Sequence, residues 1–447
     1  MTAAEATARR AVLRVRPERV GSTRWVVACL SLSLLSLAAF GVALTVLSGP
    51  DGLPLSLASL AALHLFTLGF LVPVALAAAT QLAAALFLPA AERRSGRLLV
   101  LVWAAGVGVA LGFARLGPIL PAAGAALLAA AMGTVAAIAR RLGRGAPATL
   151  SLRLGMLGGL AGLALTLVAG LVAALALVGA LPLTPPVGLH VSLAGSAAFV
   201  PLVLAVSTQV FPMFARCPPA PTAALRSGPA LASLVGATAL CLGVATHLRP
   251  AVDAGAAIEA AAVAVWFAVQ ERQYRRRQGP RRDPAAWGAR LAAAVLVLGA
   301  GLGVAHLALG LGGEGTTPAA LSLVLLGGVG GSVVAYLRRI LPFSVWHGLH
   351  QRLGRAWTLP RLDALRPGLA VEVLPVLWAC ATVLVAWSLT GIGAGPVAHV
   401  VRGHAYWPLA AAALLGALEL GWAPAVGIGV LLRARSAGHG PGGPTTA

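Results

Sequence analysis

Twelve long apolar runs, separated by short polar or basic stretches, organise this 447-residue chain. They fall at about 25–48, 57–88, 98–114, 118–139, 151–181, 187–214, 229–247, 250–270, 287–311, 318–341, 369–391 and 407–432. A helix rising 1.5 Å per residue needs roughly 20 residues to cross a hydrocarbon core about 30 Å thick, and most of these runs are near that length or longer. Inside lipid every backbone N–H and C=O must be paired within the segment, which selects helices as the spanning element. The pattern predicts an all-α integral membrane protein with twelve transmembrane helices. Residues 1–24 are polar and basic, and the apolar run behind them is too long for a cleaved signal sequence. They read as a basic N-terminal segment ahead of a retained first helix. The membrane domain then covers 25–435, and the Gly/Pro-rich stretch 436–447 reads as a disordered tail.

A shorter pattern recurs within the runs. His64-Leu65-Phe66-Thr67-Leu68-Gly69 opens the second, and His190-Val191-Ser192-Leu193-Ala194-Gly195 opens the sixth. Ser322-Leu323-Val324-Leu325-Leu326-Gly327 occupies the same place in the tenth, with serine where the others have histidine. Each run is expected to end at a proline before basic residues: Leu88-Pro89, Phe211-Pro212 and Leu341-Pro342. The near-equal spacing predicts three pseudo-repeats of four helices, at about 25–145, 150–280 and 285–435.

Composition agrees with the pattern, and charge orients it. The chain is 59% hydrophobic and only 10% charged, with a mean hydropathy of +0.90; soluble domains carry about 25% charged residues. A formal charge of +21 could suggest nucleic acid, but its distribution points elsewhere. All 33 basic residues are arginines, and 30 of them fall in alternate loops; Arg115, Arg249 and Arg402 are the exceptions. The positive-inside rule then puts both termini in the cytoplasm, with the protein in the cell inner (plasma) membrane and the lipid bilayer as its first partner. No nucleic acid is expected. The densest basic run, Arg272 to Arg290, reads as an orientation signal on a cytoplasmic loop.

Chemistry is sparse. Four cysteines lie far apart and give neither a disulfide framework nor zinc spacing. Gly327-Gly328-Val329-Gly330-Gly331 has no strand before it and no Lys-Ser/Thr after it, so close helix packing explains it better than phosphate binding. Six of nine histidines fall on the outer side, and His64 and His190 share one register there. Ionisable groups within a span are costly and mark function, and neutral imidazole is a common ligand of haem iron and copper. His64 and His190 are therefore the candidate cofactor and metal ligands, with His306 as a further metal ligand. His247, His399 and His404 read as interfacial. Glu259 and Glu419 are mid-membrane carboxylates and candidates for a proton path. A local hydrogen bond or an arginine partner is the alternative for each.

These residues carry a likeness. His64-Leu-Phe-Thr-Leu-Gly-Phe, His190-Val-Ser-Leu-Ala-Gly with Gln209-Val-Phe-Pro-Met-Phe, and Leu341-Pro-Phe-Ser-Val-Trp resemble the haem–copper oxidase subunit I-like superfamily, in particular its divergent, NnrS-like membrane proteins. The resemblance implies an axial haem ligand at His64 and a copper ligand at His190. The family's paired histidines are missing from Ala230–His247 and from 318–342, and no tyrosine follows His190 in a position to crosslink. Oxygen reduction is therefore not expected. The resemblance implies haem b or copper serving electron relay or a nitric oxide response, with a redox partner or a small gas ligand. The alternatives are a proton-coupled small-solute transporter and a non-catalytic accessory subunit on the same scaffold.

Overall fold

The computed structural model describes residues 23–48, 56–86, 93–115, 117–143, 150–278, 283–310, 315–353, 359–360, 362–365, 373–390 and 404–436. The basic segment 1–24, apart from its last two residues, and the tail after 436 lie outside these. So do His399, Arg402 and Leu88-Pro89. Among the described residues there is no strand, and twelve helices are long and apolar enough to cross a membrane. They are α1 (Thr23–Leu47), α2 (Leu57–Phe66, Thr67–Leu71 and Val72–Leu86), α3 (Arg93–Arg115), α4 (Ile119–Gly143), α5 (Leu150–Leu177), α6 (Val187–Ser192, Leu193–Phe199 and Val200–Ala215), α7 (Ala223–Thr246), α8 (Arg249–Arg275), α9 (Pro284–Leu309), α10 (Thr316–Ser322, Leu323–Gly330 and Gly331–Leu353), α11 (Val373–Thr390) and α12 (Tyr406–Ser436).

Three of the twelve contain a π-helical middle: α2 at Thr67–Leu71, α6 at Leu193–Phe199 and α10 at Leu323–Gly330. These are the helices that carry the recurring hexapeptide, and in each the shared glycine (Gly69, Gly195, Gly327) lies inside the π stretch. The local cause is legible in two of them. Pro73 and Pro201 stand two residues after the last residue of the π stretch. Proline offers no N–H and its ring clashes with the carbonyl four residues back, here Gly69 and Ala197. Widening the preceding turn relieves that clash. Val72 N–H accordingly reaches Thr67 O, and Val200 N–H reaches Gly195 O, five residues back. In α10 four glycines between 327 and 331 supply the freedom instead. One carbonyl of that stretch, Leu326 O, accepts from the indole Nε1 of Trp378 on α11 at 2.7 Å.

Packing places α2, α6 and α10 inside the bundle. The π stretches of α6 and α10 touch each other, and α10 is the most enclosed span. Phe66 lies at the centre, 4.9 Å from Phe40, 5.7 Å from Phe70 and 6.3 Å from Trp378 between ring centres, with Gly330 against its ring. The last span folds back on the first, where Gly41 of α1 admits the Ala410 carbonyl and the Leu414 side chain of α12. Glycine-rich stretches pack helices, as expected of them. Gly155, Gly159 and Gly162 bring α5 onto α6, while Gly328 and Gly331 bring α10 onto Leu296 and Ala292 of α9.

The largest differences from expectation are at the start of α7 and the end of α10. Helix α7 begins at Ala223 behind an N-cap, Thr222, whose hydroxyl accepts from Leu225 N–H, and it runs through Pro229. Helix α10 passes through Pro342 and continues to Leu353, so that proline is not an exit; Pro212 likewise sits inside α6. The chain around Pro342 is buried, and Ser344 makes polar contacts beside it. Its hydroxyl donates to Ile340 O at 2.7 Å and accepts from the Gln81 amide of α2 at 2.9 Å. Arg338 and Arg339, grouped by charge with the loop that follows, lie within α10. Both are held. Arg338 pairs with Glu419 of α12, and Arg339 pairs with Asp283, the N-cap of α9.

Candidate functional site

The two histidines of the recurring segment converge. His64 lies near the start of α2 and His190 near the start of α6. Their rings are 6.4 Å apart between centres and only 8° from parallel. Each ring is oriented by a backbone carbonyl: His64 Nδ1 is 2.8 Å from Leu60 O in its own helix, and His190 Nδ1 is 3.0 Å from Thr166 O on α5. A carbonyl only accepts, so the neutral rings carry their proton on Nδ1 and present Nε2 with a bare lone pair. Carbonyl-anchored imidazoles of this kind are the usual form of a histidine metal ligand.

The walls of the pair come from α3 and α5. The His64 ring rests on Phe113 at 4.4 Å between centres. The His190 ring fills the space over Gly170, where a β-carbon would meet Cε1 and Nδ1. Neither wall was anticipated from sequence. A glycine two helical turns from the end of α5 is one among 54 and gives no signal alone. Thr166 is likewise ordinary until its carbonyl is seen to face His190.

The other expected ligands do not join. Among the described residues no third histidine, cysteine, aspartate or glutamate gathers with others into a metal-binding group. His306 is half-buried on α9 and stays apart from the pair. His247 caps α7 in a left-handed conformation (φ 58°), and His404 is exposed. Ser322, the third copy, ends the first segment of α10. Cys29, Cys217 and Cys241 are buried and unpaired. In the connection after α6, burial pushes the Cys217 thiol up to about 11, which leaves it protonated.

The two glutamates have opposite surroundings. Glu419 receives a bidentate bridge, Arg338 Nε to Oε1 and Nη2 to Oε2, both at 2.8 Å, with the two side chains 6% and 9% exposed. Among the described residues, the partners of Glu259, itself 7% exposed, are hydroxyls: Ser233 of α7 donates to Oε1 at 3.5 Å, and Ser196 in the π stretch of α6 lies within reach. Deeper between α6, α8 and α10, the side chains of Ser207 and Gln270 are buried against the phenol of Tyr336.

Fold and site together define a twelve-span, all-helical membrane protein with two juxtaposed imidazoles at one end of its inner helices. No family model matches the chain, and no curated protein matches it.

Proposed function

We propose that His64 and His190 together hold one metal, either copper or the iron of a haem b, and that the protein serves electron relay or the sensing of a small gas such as nitric oxide. One observation carries the reading: two parallel imidazoles, each fixed through Nδ1, brought from separate helices to 6.4 Å. The pair would offer a copper ion or a haem iron two neutral imidazole nitrogens, and offers no three-imidazole copper centre. When bound, such a group supplies one-electron chemistry. The chain's own part is to fix both rings through Leu60 O and Thr166 O and to wall them with Phe113. In this reading the oxidase-like resemblance concerns the scaffold, three groups of four helices. The shared register of the π stretches in α2, α6 and α10 supports it. The arginine-rich ends face the cytoplasm of a plasma membrane, which puts the histidine pair toward the opposite face.

Metal content and absorbance of protein purified from copper-supplemented cells test the reading. A Soret band lost in both His64→Ala and His190→Ala assigns haem; stoichiometric copper lost in both assigns copper. Neither signal in the wild type ends the proposal. Proton-coupled transport of a small solute is favoured by one separate observation, the cation-free burial of Glu259, and a solute flux abolished by Glu259→Gln would establish it.

A further inference from the structure

A carboxylate inside a membrane bundle must be neutralised. Stripping it of water costs several kcal/mol even after relaxation, and a hydroxyl at 3.5 Å returns little of that. Glu419 meets the requirement with Arg338. Among the described residues neither an arginine nor a histidine pairs with Glu259, and the titratable group that acts on it from the facing helix is the Cys241 thiol of α7, which brings no positive charge. What surrounds Glu259 is oxygen from three helices: its own carboxyl on α8, Ser196 Oγ on α6 and Ser233 Oγ on α7. Serine in a helix commonly bonds the carbonyl four residues back, as Ser31, Ser33 and Ser344 do here; Ser233 instead turns its hydroxyl to Glu259. The α7–α8 crossing is also unusually close there, because Gly236 abuts the backbone of Glu259 and Gly255 abuts that of Leu240. The close crossing holds the backbone at Glu259 against α7.

We infer that Glu259, Ser196 and Ser233 form a buried exchange site for a monovalent cation, a proton or a sodium ion, which neutralises the carboxylate between α6, α7 and α8. Further polar side chains lie on the same two helices. Gln270 lies eleven residues beyond Glu259 on α8, and Ser207 eleven beyond Ser196 on α6. Eleven residues are close to three turns, so Gln270 sits on the same face of α8 as Glu259, roughly 16 Å along it. The buried side chains of Ser207 and Gln270 meet at Tyr336 of α10, so the polar seam continues beyond Glu259. The inference deepens the transport reading but does not need a flux, since occupancy is an equilibrium property.

The test is carbodiimide labelling of the full-length protein in lipid nanodiscs, because dicyclohexylcarbodiimide adds to protonated carboxyls in apolar surroundings. Labelling located by mass spectrometry should fall on Glu259 and spare Glu419. Protection by added NaCl, but not by choline chloride, assigns sodium. A decline with rising pH that ignores NaCl assigns the proton. Labelling that ignores both pH and sodium, or that is absent at every pH, overturns the site. Ser233→Ala, which leaves the carboxyl in place, should alter the pH or sodium dependence of labelling; an unchanged profile in that variant removes Ser233 from the site.

Discussion

Glu259 and Glu419 stand near the middles of their helices, are comparably buried and carry the same carboxyl group, yet one is locked and the other is not. Glu419 is one half of a two-hydrogen-bond bridge to Arg338 that ties α12 to α10. Glu259 is surrounded by hydroxyls and by glycines that press α7 and α8 together. A bidentate guanidinium–carboxylate pair fixes both charges and both helices, and leaves no site open for a third species. A carboxyl among hydroxyls keeps its charge balance open. Burial alone therefore does not mark a functional carboxylate; the identity of its partner does.

Breaking the locked pair should have the largest effect. Arg338→Met leaves Glu419 uncompensated in the bundle, a change that typically costs about 3–5 kcal/mol. Thermal unfolding in detergent should show a large loss of stability, largely recovered in the double variant Arg338→Met with Glu419→Leu, where no charge remains. Equal instability of single and double variants would show that the bridge matters for shape and not for charge. Next in size is the contrast between amides. Glu419→Gln removes the charge-paired carboxylate from the Arg338 bridge and should cost a few kcal/mol. Glu259→Gln keeps a neutral, hydrogen-bonding group of the same shape and should stay within about 1 kcal/mol of wild type. Similar losses in the two variants would erase the distinction.

The apolar pattern alone revealed the number of spans, because lipid leaves so few ways to satisfy a backbone. Grouping Arg338 and Arg339 by charge with the following loop hid their partners for a definite reason. Two adjacent arginines four and three residues before Pro342 look like a helix exit, and only partners on α12 and at the start of α9 make their burial tolerable. Those partners are distant in sequence, and no local signal announces them. The continuation of apolar residues to Leu349 and Leu353 was the available hint. The histidine pair was half legible. The recurrence of His64 and His190 at one register suggested that they share a depth, but their approach depends on the inner placement of α2 and α6. The π stretches could have been anticipated, since Pro73 and Pro201 follow the recurring glycine at four and six residues.

A comparison of the same kind holds within the recurring segment, between the two copies that carry histidine and the one that carries serine. If His64 and His190 share one metal, either His→Ala substitution should remove it, while Ser322→Ala should leave metal content and stability unchanged within about 0.5 kcal/mol. Metal retained at full stoichiometry in one of the two histidine variants would mean that the rings are neighbours without being co-ligands.

The smallest and most discriminating change is at Gly170. A β-carbon there meets Cε1 and Nδ1 of His190, so Gly170→Ala must displace the ring and stretch its bond to Thr166 O. The histidine itself remains, and α5 gains a better helix former, which offsets part of the strain. Groups that orient a metal-binding histidine commonly contribute 10- to 100-fold in affinity. Gly170→Ala should therefore weaken metal retention by about tenfold against a chelator while unfolding close to the wild-type temperature. If retention is unchanged, the anchoring of His190 by α5 is packing alone, and the orientation of the ring owes nothing to Thr166.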